Sequence, residues 1–309
     1  MSANTRGGVP RKQMIGRFIK KNFTGYLFIM PWLLGFLLLT LWPIIQSLYL
    51  SFTNYNLFEQ PKWIALDNYV TMFTKDDLFF ASFGRTLRFV ISVVPLRLSF
   101  SLMVAMLLNR NLKAMSVYRT AIYLPSLIGG SVAVAVLWRN IFGLRGYINV
   151  LMGMMGLPIQ GWIVNPRLSM NTIILLSVWQ FGSTMIIFLG GLKNIPGELY
   201  EYSSIDGAGA VTRFFRITLP MLSPTILFNL VLGTITAFQQ FNAAFIITKG
   251  GPAYSTYLYS LMLYEKAFVH YKMGYASGLA WILLFMIAAL TLANFIISRY
   301  WVYYEDEGR

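Results

Sequence analysis

Long uncharged runs separated by short polar segments organise this chain. The run from Asn22 to Phe58 predicts a first membrane helix over about 25–52, with Pro31 and Pro43 placed to kink it. It is too long for the apolar core of a secretory signal and has no small-residue cleavage site, so it reads as a retained helix. The polar stretch 53–85 holds Glu59, Asp67, Asp76 and Asp77 and no patterned helix, and reads as an outer loop. A second span follows over 86–109, interrupted by Pro95 and Arg97. A third covers 120–138, where Pro125, Gly129 and Gly130 allow close packing or a bend. After a Gly- and Pro-punctuated outer segment, 143–167, a fourth span runs over 168–192. The uncharged stretch 217–248 contains the fifth. The segment 249–272, with Gly250, Gly251 and Pro252 as turn residues, is the last outer loop. The sixth span, 273–298, ends in Arg299, Tyr300, Trp301, Tyr303 and Tyr304 as an interfacial belt. The expected fold class is therefore all-α: a polytopic membrane protein with six transmembrane helices.

One polar segment departs from this alternation. Between the fourth and fifth spans, residues 198–224 carry Leu199, Tyr202 and Ile205, then Val211, Phe214 and Phe215, at helical spacing around Gly207 and Gly209. That pattern predicts a helix, a glycine break and a second short helix, with Pro220 and Pro224 in first turns where a missing N–H is tolerated. So short a pair cannot bury its apolar stripe by itself. It must lie on the membrane surface or in a partner's cleft.

Composition agrees with membrane insertion: of 309 residues, 57% are hydrophobic and 12% charged, and mean hydropathy is +0.60. The formal net charge of +14 is spread through loops and the N-terminal tail, which suits topology and lipid headgroups rather than nucleic acid. Residues 1–24 carry Arg6, Arg11, Lys12, Arg17, Lys20 and Lys21 and no acid; 110–119 carries Arg110, Lys113 and Arg119 and no acid. Both termini (1–24 and 301–309), the 110–119 loop and the 198–216 loop then share the cytoplasmic side. Cysteine is absent, so there is no thiol nucleophile and no Cys metal site, and the single His270 builds no dyad and reads as a solvated loop residue. No metal site or catalytic set is expected. No G-x-x-x-x-G-K-[ST] loop occurs, so if ATP drives this protein, another chain hydrolyses it.

Glu201, Gly207 six residues on, and then Ile217, Leu219 and Pro220 resemble the EAA loop of permease subunits of bacterial ABC importers: EAA, three residues, Gly, nine residues, I-x-L-P. Here Tyr202 and Ser203 replace the two alanines, which alters the surface of the first helix. The segments 179–201, 237–256 and 274–285 look like the carbohydrate-uptake branch, the maltose and glycerol-phosphate type, and the likeness covers nearly all of 25–300. The resemblance implies an inner-membrane permease domain over 25–300 whose coupling loop, 198–220, docks on a cytoplasmic ATPase. It also implies the partners: a homologous second permease, two copies of an ABC ATPase that binds the ATP and Mg, an extracytoplasmic solute-binding protein and a carbohydrate. No cofactor is expected in this chain. Glu198, Glu201, Asp206, Gly207, Arg213, Leu219 and Pro220 are the expected coupling residues, with Glu201 and Asp206 as charges facing the ATPase and Gly207 as the turn.

The acids all fall in loops or tails. A proton- or sodium-coupled carrier usually needs a carboxylate at membrane depth, which weighs against the alternative of a secondary sugar carrier or channel. Arg97 is the exception among the spans, about 13 Å along a helix from Arg88. Either it faces a water-filled path taken by an anionic saccharide, such as a uronate oligosaccharide, or it bonds a carbonyl freed by Pro95 or a partner subunit. Trp179, Gln180, Phe238, Gln239, Gln240, Phe241 and Asn242 complete the candidate pathway, since amides bond hydroxyls and aromatic faces stack on sugar C–H faces. Amide bonding between helices and aromatic packing is the other reading of the same residues. The methionines read as packing residues.

Overall fold

The computed structural model describes residues 25–109 and 115–303. The basic tail 1–24, Arg110 and Lys113 in the first inner loop, and 304–309 with Tyr304 lie outside the described residues. Helix α1 (Gly25–Ser51) runs through both its prolines as one helix. Just before Pro43 it takes a π turn over Leu37–Leu41, where the Trp42 N–H reaches back to the Leu37 carbonyl next to the position that Pro43 leaves without a donor. A two-residue antiparallel ladder, β1 (Thr53–Asn54) with β2 (Lys62–Trp63), pairs Thr53 with Trp63 and Asn54 with Lys62.

The stretch 53–85 is more ordered than its composition suggests. It holds α2 (Asp67–Thr74), and α3 (Asp77–Leu108) begins within it, nine residues before the expected span. Asp76 is the reason: its carboxylate accepts the Leu78 N–H at 3.2 Å and caps a helix that continues through Pro95. At about 48 Å, α3 is long enough to cross a membrane and extend beyond it.

The third and fourth spans are each broken. α4 (Met115–Ile128) and α5 (Val132–Ile141) meet at 96° across Gly129–Ser131, so 120–138 is no single straight helix. The Ser131 hydroxyl caps α5 by accepting the Val134 N–H. α6 (Tyr147–Met154) follows. α7 (Ser169–Trp179) and α8 (Gly182–Asn194) meet at 44° across Gln180–Phe181. Then come α9 (Gly197–Ile205), α10 (Ala210–Met221, with a π turn at Phe214–Thr218), and α11 (Ser223–Phe238), bent 65° from α10. A π-type segment (Ala244–Thr248), α12 (Tyr259–Tyr264) and α13 (Met273–Ser298) complete the chain.

Helix α3 is central. It packs against α7, α8, α11 and α12, and α13 packs on α11 and carries α1. The core is apolar and tight, with Phe89, Ile173, Phe238, Tyr259 and Leu279 essentially inaccessible, while Leu38, Leu39, Phe285 and Phe295 remain outside as a lipid-type surface. By length and apolarity α1, α3 and α13 each suffice to cross a membrane, and the bent pairs raise the candidates to as many as six.

At one end of α3 the loops are knitted by side chains far apart in sequence. Asp76 accepts from Lys266 Nζ at 2.8 Å and from the Tyr275 hydroxyl at 2.7 Å. Asn68 donates to the Ser51 and Thr53 carbonyls, and the Gly274 N–H donates to the Tyr55 carbonyl. Any side chain at Gly274 would run into the Thr53 carbonyl, so the start of α13 lies this close to the Leu50–Thr53 backbone only because the residue is glycine. At the other end, Arg119 donates to the Leu108 carbonyl, and the Tyr303 N–H reaches the Ser223 hydroxyl at the α10–α11 junction. The two sets of loops thus sit at opposite ends of one long helix.

Burial alone pushes the Asp76 carboxyl up, but the hydrogen bonds from Lys266 and Tyr275 outweigh it and hold the group below its ordinary 3.8. A depressed carboxyl stabilises the fold fully above that ordinary value and releases the energy only as pH falls beneath it. Asp76→Ala, which leaves Lys266 half-buried without its partner, is expected to lower stability by about 1–3 kcal/mol, equally at pH 6 and pH 8. Thermal unfolding of the detergent-solubilised protein measures this. Equal midpoints for wild type and variant at pH 7 would show that the clamp contributes nothing.

Candidate functional site

A cavity of about 290 Å³ lies beside the middle of α3, walled by α3, the α7–α8 break and α11. Its apolar lining is Phe89, Val93, Val94, Leu98 and Ala237, and its polar lining comes from three directions. Arg97 enters from α3. Ser177, Gln180 and Thr184 come from the α7–α8 break, and Asn229, Thr236, Gln239 and Gln240 from α11 and its C-terminal end. Arg97, Gln180, Gln239 and Gln240 are thus brought together. The sequence pattern did not single out Ser177 and Thr184, whose small hydroxyls in an apolar run carry no distinguishing spacing.

The other four candidates lie outside the cavity. Phe238 is fully buried in the core on the opposite face of α11. Trp179 packs on Trp138 with ring centroids 5.7 Å apart, Phe241 stacks on Phe245 at 5.1 Å, and Asn242 is exposed. α11 ends at Phe238, and in the non-helical stretch that follows Gln239 and Gln240 line the cavity while Phe241 packs on Phe245.

Two lining amides are anchored. Gln180 Nε2 donates to the Gly129 carbonyl at 2.7 Å, linking the break between α7 and α8 to the break between α4 and α5. A side chain at Gly129 would collide with Gln180 itself, so the contact requires glycine. Gln240 Nε2 donates to the Ser177 hydroxyl at 3.2 Å. Arg97 differs: its Nε is buried and has no hydrogen-bond partner among the described residues. The carbonyl freed by Pro95 does not hold the guanidinium. No carboxylate lines the cavity, so the charge is uncompensated where a lone cation costs at least about 2.5 kcal/mol.

The 198–220 segment folds as helix, turn, helix. Gly207 has φ +74° and closes α9 with two bonds, Gly207 N–H to Ser204 O at 3.1 Å and Ala208 N–H to Ser203 O at 2.9 Å, the paired pattern of a glycine-terminated helix. Glu198, Glu201 and Asp206 are exposed on its surface, as are Leu199, Tyr202, Ile205, Val211 and Phe215. Leu219 and Pro220 are half-buried at the α10–α11 junction. Arg213 turns inward. Its Nε donates to the Ala208 carbonyl at 2.9 Å and its Nη1 to the Ser204 hydroxyl at 3.1 Å, so it braces the turn rather than presenting its charge outward.

This elbow connects directly to the cavity. α9 follows α8, whose far end carries Thr184 and adjoins Gln180 in the α7–α8 break, and α10 leads into α11, which carries Asn229 and Thr236. Near the elbow α8 and α11 touch at Gly191, where an added Cβ would stand 2.7 Å from Thr225 Oγ1 and 2.9 Å from Leu222 Cδ2. The elbow is thus joined to both polar walls of the cavity through packed helices.

Residues 98–303 match the family described as binding-protein-dependent transport system inner membrane component. The chain belongs to that family. The permease is 53% identical over 93% of its length to the probable ABC transporter permease protein YesP of Bacillus subtilis (strain 168), covering 94% of that protein. It is 32% identical to the lactose transport system permease protein LacF of Rhizobium radiobacter, over 90% of this chain and 95% of that one. Among solved structures, a chain of a bacterial ABC transporter involved in the import of the acidic polysaccharide alginate superposes with a TM-score of 0.79 at 22% identity, covering 93% of the permease and 98% of that chain. That likeness concerns the fold.

Proposed function

We propose that this permease forms half of the translocation pathway of an ATP-driven carbohydrate importer and that the cavity around Arg97 is where the sugar crosses. The observation that carries this is the convergence of Arg97, Gln180, Gln239 and Gln240 on one cavity beside the centre of the longest helix. Amides and hydroxyls exchange hydrogen bonds with sugar hydroxyls, and the unpaired guanidinium favours a carboxylate-bearing sugar. The names of the relatives point the same way. LacF belongs to a lactose transport system, and a relative 29% identical over 92% of this chain, from Thermoanaerobacterium thermosulfurigenes, is a probable permease for starch degradation products.

In this reading the chain crosses the inner membrane six times with both termini and the 198–220 elbow in the cytoplasm. The elbow docks on one of two ATPase subunits, which bind ATP and Mg, and a second, homologous permease supplies the other half of the pathway. An extracytoplasmic binding protein delivers the sugar at the end knitted by Asp76. Closure of the ATPases moves the elbow, and the α8–α11 unit carries the motion to the cavity walls, re-opening them toward the other side.

The test is ATP hydrolysis by the reconstituted complex with its binding protein, comparing neutral malto-oligosaccharides with uronate oligosaccharides. Stimulation by either class supports a carbohydrate importer, and stimulation by uronates alone assigns Arg97 its proposed role. Absence of stimulation by any saccharide removes the reading.

A further inference from the structure

A second hollow, of about 920 Å³, lies apart from the Arg97 cavity, and its walls come from the two segments read from sequence as outer. One wall is 143–164, the other runs from Ile247 to Pro252, and Arg139 at the end of α5 closes a third side. Three cations line it, Arg139, Arg145 and Lys249, and no carboxylate does. None of the three makes a salt bridge among the described residues.

The wall is held in shape by a buried amide. Asn149 is 3% exposed, and its Nδ2 donates to the carbonyls of Gly143, Leu144 and Gln160 while its Oδ1 accepts from the Gln160 N–H and from the Trp162 indole at 3.2 Å. All the hydrogen-bonding capacity of one side chain is spent on fixing the loop that carries Arg145 and the ring that faces the hollow. Gly146 is pressed against the Asn140 and Ile141 carbonyls, where no side chain fits. Lys249 is set by its own backbone, in a left-handed conformation at φ +51° that ends the Ala244–Thr248 segment.

Two stretches of chain join the hollow to the cavity. One leads from Gly130, at the cavity, through α5 to Arg139, at the hollow, and the other, 239–249, from Gln239 and Gln240 to Lys249. These two stretches pack on each other.

We propose that this hollow is a capture site for a carboxylate-bearing saccharide, with Arg139, Arg145 and Lys249 holding the carboxylates and Trp162 stacking on a sugar ring, before the sugar reaches Arg97. This rests on the carbohydrate reading above and adds a second station to it. Aromatic face plus cations outside any salt bridge, without acids, is recognition chemistry suited to an anionic sugar, since a neutral sugar gains hydrogen bonds from the three cations but no ion pair.

The test uses the full complex in nanodiscs with its binding protein and the triple variant Arg139→Gln, Arg145→Gln, Lys249→Gln, which leaves Trp162 and Asn149 in place. Half-saturating uronate trisaccharide for ATPase stimulation is expected to rise roughly tenfold, while neutral malto-oligosaccharide stimulation and the affinity of sugar-free binding protein for the complex change less than about twofold. The uronate loss should shrink as salt is raised. A separate variant, Trp162→Ala, should raise the half-saturating concentration of the uronate without altering its salt dependence. Equal weakening of sugar-free binding-protein docking would overturn the proposal and make the hollow a protein-docking surface. So would wild-type stimulation by neutral sugars alone, which leaves the carbohydrate reading intact; stimulation by no sugar at all removes both.

Discussion

Replacing Gly207 by valine should reduce substrate-stimulated uptake by at least roughly tenfold while the protein still inserts in the membrane and still binds its solute-binding protein. Gly207 sits at φ +74°, and a Cβ built there meets nothing within 4 Å. The penalty is therefore torsional alone. An L-residue in the left-handed region costs about 1–2 kcal/mol, and a β-branched one more. That strain is relieved by opening the turn, which breaks the Ala208–Ser203 and Gly207–Ser204 bonds and swings α9 away from α10. At about 1.4 kcal/mol for each factor of ten, the native elbow loses roughly five- to thirty-fold in population relative to opened turns. The absence of a clash makes a graded series informative: Gly207→Asn, which tolerates positive φ, should retain most activity, Gly207→Ala less and Gly207→Val least. Uptake and ATPase rates in proteoliposomes, with membrane-inserted protein quantified in parallel, give the order. Equal activity across the series would mean the elbow's shape is irrelevant to coupling, and loss of Val protein from the membrane would assign Gly207 to folding instead.

Arg213 belongs to the same elbow, and it shows what sequence spacing reveals and what it does not. The register of Glu201, Gly207, Ile217, Leu219 and Pro220 placed the turn correctly because a glycine stop is a local signal; Pro224 falls in a first turn as expected, whereas Pro220 lies at the end of α10, after the π turn at Phe214–Thr218. The direction of Arg213 is not local: its guanidinium reaches back to Ser204 and Ala208 across the turn, a contact that exists only once α9 and α10 have folded against each other. The uncharged runs likewise marked the apolar segments, since a missing charge over about 20 residues is an unambiguous signal. The breaks sit beside glycines, at Gly129–Gly130 and just before Gly182, but what Gly182 does is not local: it lets α8 approach Tyr123 and Ser126 of α4 where no side chain fits. Asp76 and Asn149 passed unnoticed for the same reason. Asp76 finds Lys266 and Tyr275 some 190 residues away, and Asn149 becomes an organising residue only when its loop closes around it. Among the pathway candidates, residue type identified four polar members of the cavity, whereas Trp179, Phe238 and Phe241 are taken up by packing on Trp138, the core and Phe245, and Asn242 is exposed.

Arg97→Gln should lower uptake of a uronate oligosaccharide by about tenfold or more and leave uptake of a neutral oligosaccharide unchanged or raised. The guanidinium projects into a cavity without a carboxylate, with its Nε buried and unpartnered, so in the empty site the charge is held at a cost. A carboxylate entering the cavity supplies the missing partner, and a charge-assisted bond in so poorly solvated a place is worth about 1.5–3 kcal/mol, or roughly 10- to 150-fold in affinity. Glutamine keeps a hydrogen-bond donor and similar length but no charge, so a neutral sugar loses nothing electrostatic. Removing a lone buried charge should also stabilise the protein rather than destabilise it, which separates this role from a structural one. If Arg97 held a partner subunit instead, Arg97→Gln would lower the yield of assembled complex and reduce both classes of substrate alike. Transport assays with the two sugars, together with thermal unfolding of the variant, decide between a charge kept for a passing carboxylate and one kept for the fold. A variant that is equally active on both sugars and no more stable than wild type would leave the cavity without its proposed purpose.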